Sequence, residues 1–314
     1  MSERDVLFQQ RVAAAQATFP GEFALAARNL RTGEELLVDG DRRMPTASTY
    51  KVPVMIEVFR QAEAGDLALD EPLTFTEEVR RLGSGVMRDL TVGVSLPIRD
   101  LVMLMVIVSD NTATRMLLDR VGSYAAVNAT MTDWGYSSYA LHSPEERERM
   151  EAEGLDNRSL AECTPIDLMR MMVDIAAGTM VNAEASKQMR AILGRQHYLE
   201  QASRYLGRDQ YSGAPGGEAI LDWVGSKSGM MDGMRADTGI WRLRDGTEIA
   251  FAVMNERSPD DSYGPEHEGD IINGVLGWSV VSYFWPEGDL GPMPAVRSAW
   301  LDEILGADRT GAKD

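Results

Sequence analysis

Two blocks of strand-like alternation, one near each end of the chain, enclose a long helical middle, and this arrangement most constrains the fold. Near the start, Phe23, Leu25 and Ala27 alternate with their neighbours, a turn-like segment follows at 31–34, and an extended pattern resumes at 35–38. After about Gly217 the chain becomes strand-rich again, with strands predicted at 239–243 and 248–254. Such period-two runs joined by turn residues predict hairpins. One sheet therefore draws strands from both ends of the chain.

Between these blocks, from Thr46 to about Arg190, apolar residues recur mostly at helical spacing. We predict an α+β (α/β) fold: an antiparallel sheet with flanking helices, plus an all-helical lobe. The whole chain forms one domain, with an α/β lobe at 1–43 and 191–285 and a helical lobe at 44–190. Helices are also predicted at 3–17 and 270–285, and a C-terminal helical extension at 286–314 carries a last helix through Val296, Trp300, Leu301 and Ile304,.

Composition excludes several classes of protein. The longest apolar run, Leu101 to Val108, falls far short of the roughly 20 residues that a membrane span needs,. A single cysteine, Cys163, excludes an internal disulfide and a multi-cysteine zinc site, and we expect a buried thiol,. A net charge of −18 disfavours nucleic acid and anionic membranes as partners,. We expect a small-molecule partner and no cofactor, and the sequence leaves the oligomeric state open.

The first nineteen residues contain no basic segment followed by an apolar stretch and a cleavage site,. The chain as written therefore predicts a cytoplasmic protein. A mature chain that had lost a signal peptide would look the same and would be periplasmic or secreted.

Three short motifs carry the candidate chemistry. Ser48 and Lys51 form an S-x-x-K pattern at the start of the first helix of the middle segment. Ser109-Asp110-Asn111 follows the apolar run, and Lys227-Ser228-Gly229 begins the later strand block. Each motif alone is better explained by a helix cap, a solvated lysine or a turn, but the three together in this order indicate a catalytic site.

A serine hydroxyl is a weak nucleophile and needs an adjacent base. Lys51, one helical turn from Ser48, can present its amine to that hydroxyl. None of the three histidines lies in a recognisable nucleophile motif. A desolvated lysine near a second cation, for which Lys227 is the candidate, has a lowered pKa and can act as the base. The N-terminus of the Ser48 helix also offers a backbone N–H to an oxyanion.

These motifs, with the segments TASTYK (46–51), LPIRDLVMLMVIVSDNTAT (96–114) and WVGSKSG (223–229), resemble class A β-lactamases and penicillin-binding proteins over most of residues 20–285,. The resemblance implies a site in the cleft between the two lobes, where Ser48 is acylated and Lys51 activates it. Ser109 would pass a proton to the leaving nitrogen, and Asn111 would bind the side-chain amide of the substrate. Lys227 and Ser228 of the K-S-G motif would hold the substrate carboxylate, and the backbone N–H groups of Ser48 and Met230, which follows Gly229, would form the oxyanion hole.

The sequence departs from this family in the loop whose glutamate activates the deacylating water. Glu145 falls in register, but residues 145–149 read EERER, without the Leu-Asn pair of the family pattern E-x-x-L-N. Glu146 and Glu148 are neighbouring candidates, and a solvated acidic loop explains the segment equally well. Arg235, eight residues after Lys227, is a candidate carboxylate ligand or a surface ion-pairing residue.

Three functions remain open at this stage. The first is β-lactam hydrolysis through a covalent Ser48 ester. The second is hydrolysis or transfer of another amide or ester by the same fold, including D-Ala-D-Ala-type peptides, which the altered Glu145 loop favours. The third is non-catalytic binding of a β-lactam or peptide, which the intact serine and lysine motifs disfavour.

Overall fold

The structure, a computed structural model, describes residues 2–154, 160–207 and 220–285, together with Leu290 and Met293. The helices of these residues are α1 (Glu3–Thr18), α2 (Lys51–Ala64), α3 (Ile98–Ile107), α4 (Asn111–Arg120), α5 (Tyr124–Asp133), α6 (Pro144–Ala152), α7 (Pro165–Ala177), α8 (Ala183–Leu193) and α9 (Glu268–Phe284). The strands are β1 (Glu22–Asn29), β2 (Glu35–Val38), β3 (Met44–Pro45), β4 (Pro72–Thr74), β5 (Ser95–Pro97), β6 (Ala140–Leu141), β7 (Ala161–Cys163), β8 (Leu221–Met231), β9 (Met234–Leu243) and β10 (Glu248–Glu256).

The main sheet has five antiparallel strands in the order β2-β1-β10-β9-β8. The N-terminal hairpin therefore pairs directly with β10 from the later strand block, with Ala26 opposite Ala252. This confirms the predicted α+β fold and its sheet built from both ends of the chain. Strand β8, which carries the K-S-G motif, lies at the edge of the sheet.

The alternation that predicted the strands assigns their side chains to two cores. On one face, Leu25, Phe251 and Trp241 pack in a cluster that includes residues of α1 and α9. The other face presents small side chains, among them Ala26 and Ala252, to the cluster formed with the middle helices. Such small residues allow α7 to lie close against β1 and β10,.

The predicted helix at 3–17 and the buried helix at 270–285 are confirmed as α1 and α9. Cys163 is buried in β7, as expected for a small apolar side chain, and burial raises the pKa of its thiol to about 12,. The predicted C-terminal extension lies outside the described residues, except for Leu290 and Met293.

Candidate active site

Ser48 lies on a short 3₁₀ turn, Ala47–Tyr50, and not within the α-helix that the sequence predicts there. Helix α2 begins only at Lys51. Ala47 has a φ of 41°, a left-handed conformation that is costly for a residue with a side chain,. This conformation turns the chain immediately before Ser48, whose side chain is half-buried.

Lys51 is completely buried and is held by three oxygen atoms. Its Nζ lies 2.7 Å from the carbonyl oxygen of Ser109, 3.0 Å from the Ser109 hydroxyl and 2.8 Å from the Asn111 side-chain oxygen. The Asn111 amide group donates to the Leu82 carbonyl at 2.9 Å, which fixes its oxygen towards Lys51,. Lys51 Nζ donates to all three of these oxygen atoms, which fix its position beside the S-D-N motif.

The turn between α3 and α4 brings Ser109 and Asn111 to Lys51. Ser109 has a φ of 54°, in the left-handed region, which lets its carbonyl and hydroxyl reach the same amine,. Asp110 between them caps α4 by accepting from the Ala113 N–H,. Every side chain of the S-D-N motif therefore has a defined hydrogen-bond partner.

The K-S-G segment of β8 packs directly against the Ser48 turn. A Cβ added to Gly229 would lie 2.7 Å from the Ser48 nitrogen and 2.8 Å from the Thr46 carbonyl oxygen. Only glycine allows this approach without displacing backbone. Met230 follows on the same strand and is exposed. The backbone of Gly229 therefore lies beside that of Ser48.

Burial and mutual repulsion shift the lysine pKa values. Burial, together with the positive charge of Lys227, lowers the pKa of Lys51 well below its ordinary value, against the opposing effect of Asp110,. Burial lowers the pKa of Lys227 to about 7, partly offset by Asp237. Burial also raises the pKa of the Asp237 carboxyl to about 7. The lowered pKa of Lys51 favours its neutral amine, which is the form that general base catalysis needs,.

Ser48 opens into a cleft of about 690 Å³. The predicted residues in its wall are Ser48, Asn111 and Met230. The rest of the described wall comes from the Ser48 turn, the connection between β4 and β5, several helices and other loop and strand positions: Ala47, Tyr50, Arg81, Leu82, Gly83, Ser84, Thr114, Arg115, Leu118, Tyr124, Pro144, Arg147, Leu160, Met231 and Tyr263.

Five predicted site residues of the three motifs are buried and lie outside this wall: Lys51, Ser109, Lys227, Ser228 and Gly229. The Lys227 ammonium donates to the Ser228 carbonyl oxygen at 2.5 Å. Ser228 lies opposite Asp237 in the β8–β9 register. Lys227 and Ser228 are therefore not part of the described wall of the cleft.

The structure does not bring Glu145, Glu146 or Glu148 into the described wall of the cleft. Glu145 is exposed in the first turn of α6, and hydrogen bonds from its own backbone and from Ser143 lower the pKa of its carboxyl. Glu146 accepts from the Ser143 backbone N–H at 2.7 Å in a capping box, and Glu148 is exposed. These carboxylates serve the helix terminus or solvent, and the wall there is formed by Pro144 and Arg147 instead,.

Arg235 is also absent from the described wall of the cleft. It is completely buried, forms an ion pair with Asp270 at 3.2 Å and donates to the carbonyl oxygens of Met231, Met234 and Ser262. It is neither of the predicted alternatives, a carboxylate ligand in the cleft or a surface residue. Its guanidinium joins the β8–β9 hairpin to α9 and to the loop before it.

Two groups of positioning residues were missed by sequence reasoning. The Gln201 amide donates to the Gly229 carbonyl at 3.0 Å and accepts from Asn273, which in turn accepts from Asn255. These buried amides tie the K-S-G strand to α9, and no local pattern in the sequence connects them. Asp110 was named only as part of S-D-N, and its role as a helix cap was missed, although its position before α4 indicates that role.

No group of residues within the described ranges could hold a metal ion. His267, near the acidic residues at 266–270, caps α9 by accepting from the Gly269 N–H at 2.8 Å. No helix in the described part of the chain is long and apolar enough to cross a membrane.

Comparison with known proteins agrees with this geometry. The sequence model of the Beta-lactamase enzyme family matches residues 7–284. Beta-lactamase L2 of Stenotrophomonas maltophilia is 26% identical over 236 residues, which cover 75% of this chain and 66% of that protein, slightly under two thirds of its length. A beta-lactamase structure from Sphaerobacter thermophilus superimposes with a TM-score of 0.73 at 30% identity, covering 88% of this chain and 95% of that one. The acyl-enzyme complex of a PBP-A mutant with penicillin G has the same fold, with a TM-score of 0.75 at 23% identity over 89% of this chain and 96% of that one.

Proposed function

This chain belongs to the beta-lactamase enzyme family, and we propose that it is a serine hydrolase that opens a β-lactam or related amide through a covalent Ser48 acyl-enzyme. The observation that carries the proposal is the buried Lys51 amine, held between Ser109 and Asn111 with a lowered pKa. A base of this kind is what an unactivated serine requires. Lys51 lies three residues after Ser48, and Ser48 lines the cleft.

The proposed acylation uses each of these groups once. Lys51 accepts the hydroxyl proton while Ser48 Oγ forms a bond to the substrate carbonyl carbon. The carbon–nitrogen bond then breaks, and the proton passes from Lys51 through Ser109 to the departing nitrogen. The backbone N–H groups of Ser48 and Met230 hold the oxyanion of the tetrahedral intermediate. Hydrolysis follows when water adds to the acyl carbon, the bond from that carbon to Ser48 Oγ breaks, and a proton from the water returns to Ser48 Oγ.

The decisive experiment is intact-mass spectrometry after exposure to benzylpenicillin. We expect the wild-type chain to gain the mass of one penicillin molecule and the Ser48→Ala variant to gain none. Ser95→Ala is the matched control, because Ser95 is exposed, bonds to Thr74 and lies outside the described wall of the cleft, so the change should leave the adduct in place. An adduct on Ser48→Ala, or none on the wild type with any acyl probe, would overturn the proposal and favour a non-catalytic binding protein.

A second candidate is an acyl hydrolase or acyltransferase for a different amide or ester, such as a D-Ala-D-Ala-type peptide. The placement of Glu145, Glu146 and Glu148 favours it, because none of them lines the described cleft to activate water. The time course of the penicillin adduct separates the two. A transient adduct with turnover of a chromogenic cephalosporin supports β-lactam hydrolysis, whereas an adduct that persists for hours supports the second candidate.

Gly229→Ala is expected to lower the rate of Ser48 acylation by roughly tenfold or more. The added methyl group would press on the Ser48 nitrogen and displace β8 from the oxyanion position, and losing one such donor costs about 10²–10³ in rate in other enzymes,. Gly264→Ala is the control, because a Cβ there meets nothing within 4 Å. Stopped-flow acylation with a chromogenic cephalosporin measures both. Equal rates in the two variants would contradict the proposed close contact.

A further inference from the structure

The described wall of the Ser48 cleft contains three arginines, Arg81, Arg115 and Arg147, and no aspartate or glutamate. This is unexpected in a chain whose net charge is −18. A concave site lined by one sign of charge concentrates ligands of the opposite sign. We infer that the cleft accepts substrates whose acyl side chain carries a carboxylate of its own, and this inference rests on the function proposed above.

Arg81 is the residue best placed to bind that carboxylate. Its guanidinium donates only to backbone carbonyls, those of Glu78 at 2.9 Å and Arg80 at 2.7 Å, and no carboxylate among the described residues pairs with it. Arg115 differs, because it forms an ion pair with Asp119 at 2.8 Å and its charge also lowers the pKa of Glu145. Arg81 therefore brings an uncompensated positive charge to the wall of the cleft.

The loop that carries Arg81 is fixed against the site. The Arg81 N–H donates to the Thr112 hydroxyl at 3.0 Å, and the Leu82 carbonyl accepts from Asn111 at 2.9 Å. A Cβ on Gly83 would lie 2.6 Å from the Asn111 side-chain nitrogen, so glycine is what allows this contact. Arg81 is thus held at a constant position relative to Asn111, which itself contacts Lys51.

The more usual anion ligands of the site are not available in the described cleft wall. Lys227 and Arg235 are buried and have partners within the protein, and Ser228 is buried as well. A substrate anion that enters the cleft therefore meets Arg81 and its neighbours first. Because guanidinium groups bind carboxylates in a bidentate, directional manner, this contact selects the shape of the acyl group as well as its charge.

The test compares benzylpenicillin with carbenicillin, which is the same molecule with one additional carboxylate on the benzylic carbon of the acyl side chain. We expect carbenicillin to acylate Ser48 roughly five- to tenfold faster at low salt, and the preference to fall as ionic strength rises. Arg81→Gln should lower the carbenicillin rate several-fold more than the benzylpenicillin rate and so abolish the preference. Arg80→Gln is the matched control, since Arg80 is paired with Glu77 and lies outside the described wall.

The outcomes distinguish the two proposals. If both penicillins acylate the wild type at equal rates, or if Arg81→Gln keeps the carbenicillin preference, the inference is wrong while the proposed function stands. If neither penicillin labels Ser48, the proposed function itself fails. A preference lost equally in Arg80→Gln and Arg81→Gln would show a general effect of net charge and would also overturn the role of Arg81.

Discussion

A Lys51→Met variant is expected to acylate Ser48 about 10³-fold more slowly than the wild-type chain, within the range that a positioned general base contributes. Methionine has a similar length and fits a buried site, but it cannot accept the serine proton. The measurement is the second-order rate of adduct formation with benzylpenicillin, followed by intact mass. The change leaves the Ser109 and Asn111 oxygens without a donor, which could destabilise the fold,. Circular dichroism is therefore used to check that the variant is folded.

Lys51→Arg separates the role of a base from that of a positive charge. A guanidinium can still donate to the Ser109 and Asn111 oxygens, but it stays protonated at all accessible pH values. If Lys51 acts as the base, this variant is as slow as Lys51→Met. If it acts only as a cation, Lys51→Arg keeps most of the rate, and that result would contradict the proposed mechanism.

The pH dependence of the acylation rate follows from the protonation state of the Lys51 amine. Only unprotonated Lys51 can accept a proton, so the acylation rate should rise with pH through its pKa and then level off. Since burial and the charge of Lys227 lower that pKa, the plateau should begin well below the ordinary lysine value of 10.5. Removing the charge in Lys227→Met should raise the pKa of Lys51 and move the rising limb to higher pH. A limb that stays in place would show that the two amines are not coupled.

The motif residues were predictable because their chemistry is local in the sequence, whereas the roles of Glu145 and Arg235 depend on geometry. Ser143 and Glu146 already form the S-x-x-E pattern of a capping box, and this pattern could have identified the segment as a helix start,. Trp241 follows Arg235 by six positions in β9, so the two side chains lie on the same face of the strand,. Trp241 packs in the core on the α9 side, and its position would have predicted that Arg235 lies on that side of the sheet as well.

The cation lining of the cleft could not be predicted from sequence. Arg81, Arg115 and Arg147 are far apart along the chain and belong to no shared pattern. They converge only because the loop at 80–87, α4 and α6 meet around Ser48. The 3₁₀ turn at Ser48 was missed for a similar reason, since the left-handed backbone at Ala47 has no signal in the residue type.

Asp110→Ala is expected to have the largest effect on stability of any single change in the S-D-N motif. The buried carboxylate accepts from three backbone N–H groups, those of Val86 at 2.6 Å, Met87 at 2.7 Å and Ala113 at 2.9 Å. Alanine would remove the α4 cap and leave the other two donors without a partner. From the usual cost of a lost cap and of unsatisfied donors, we expect a loss of roughly 3–5 kcal/mol in the free energy of unfolding.

The matched control is Asp119→Ala, on the same helix. Asp119 is exposed and pairs with Arg115 on the surface, so its removal should cost at most about 0.5 kcal/mol,. Urea denaturation followed by circular dichroism measures both variants. Because Asp110 holds the loop at 84–87 to the turn that carries Ser109 and Asn111, its loss should also slow acylation of Ser48 in whatever fraction remains folded. Equal midpoints for the two variants would contradict this role, and a normal acylation rate in folded Asp110→Ala would show that the loop is positioned by other contacts.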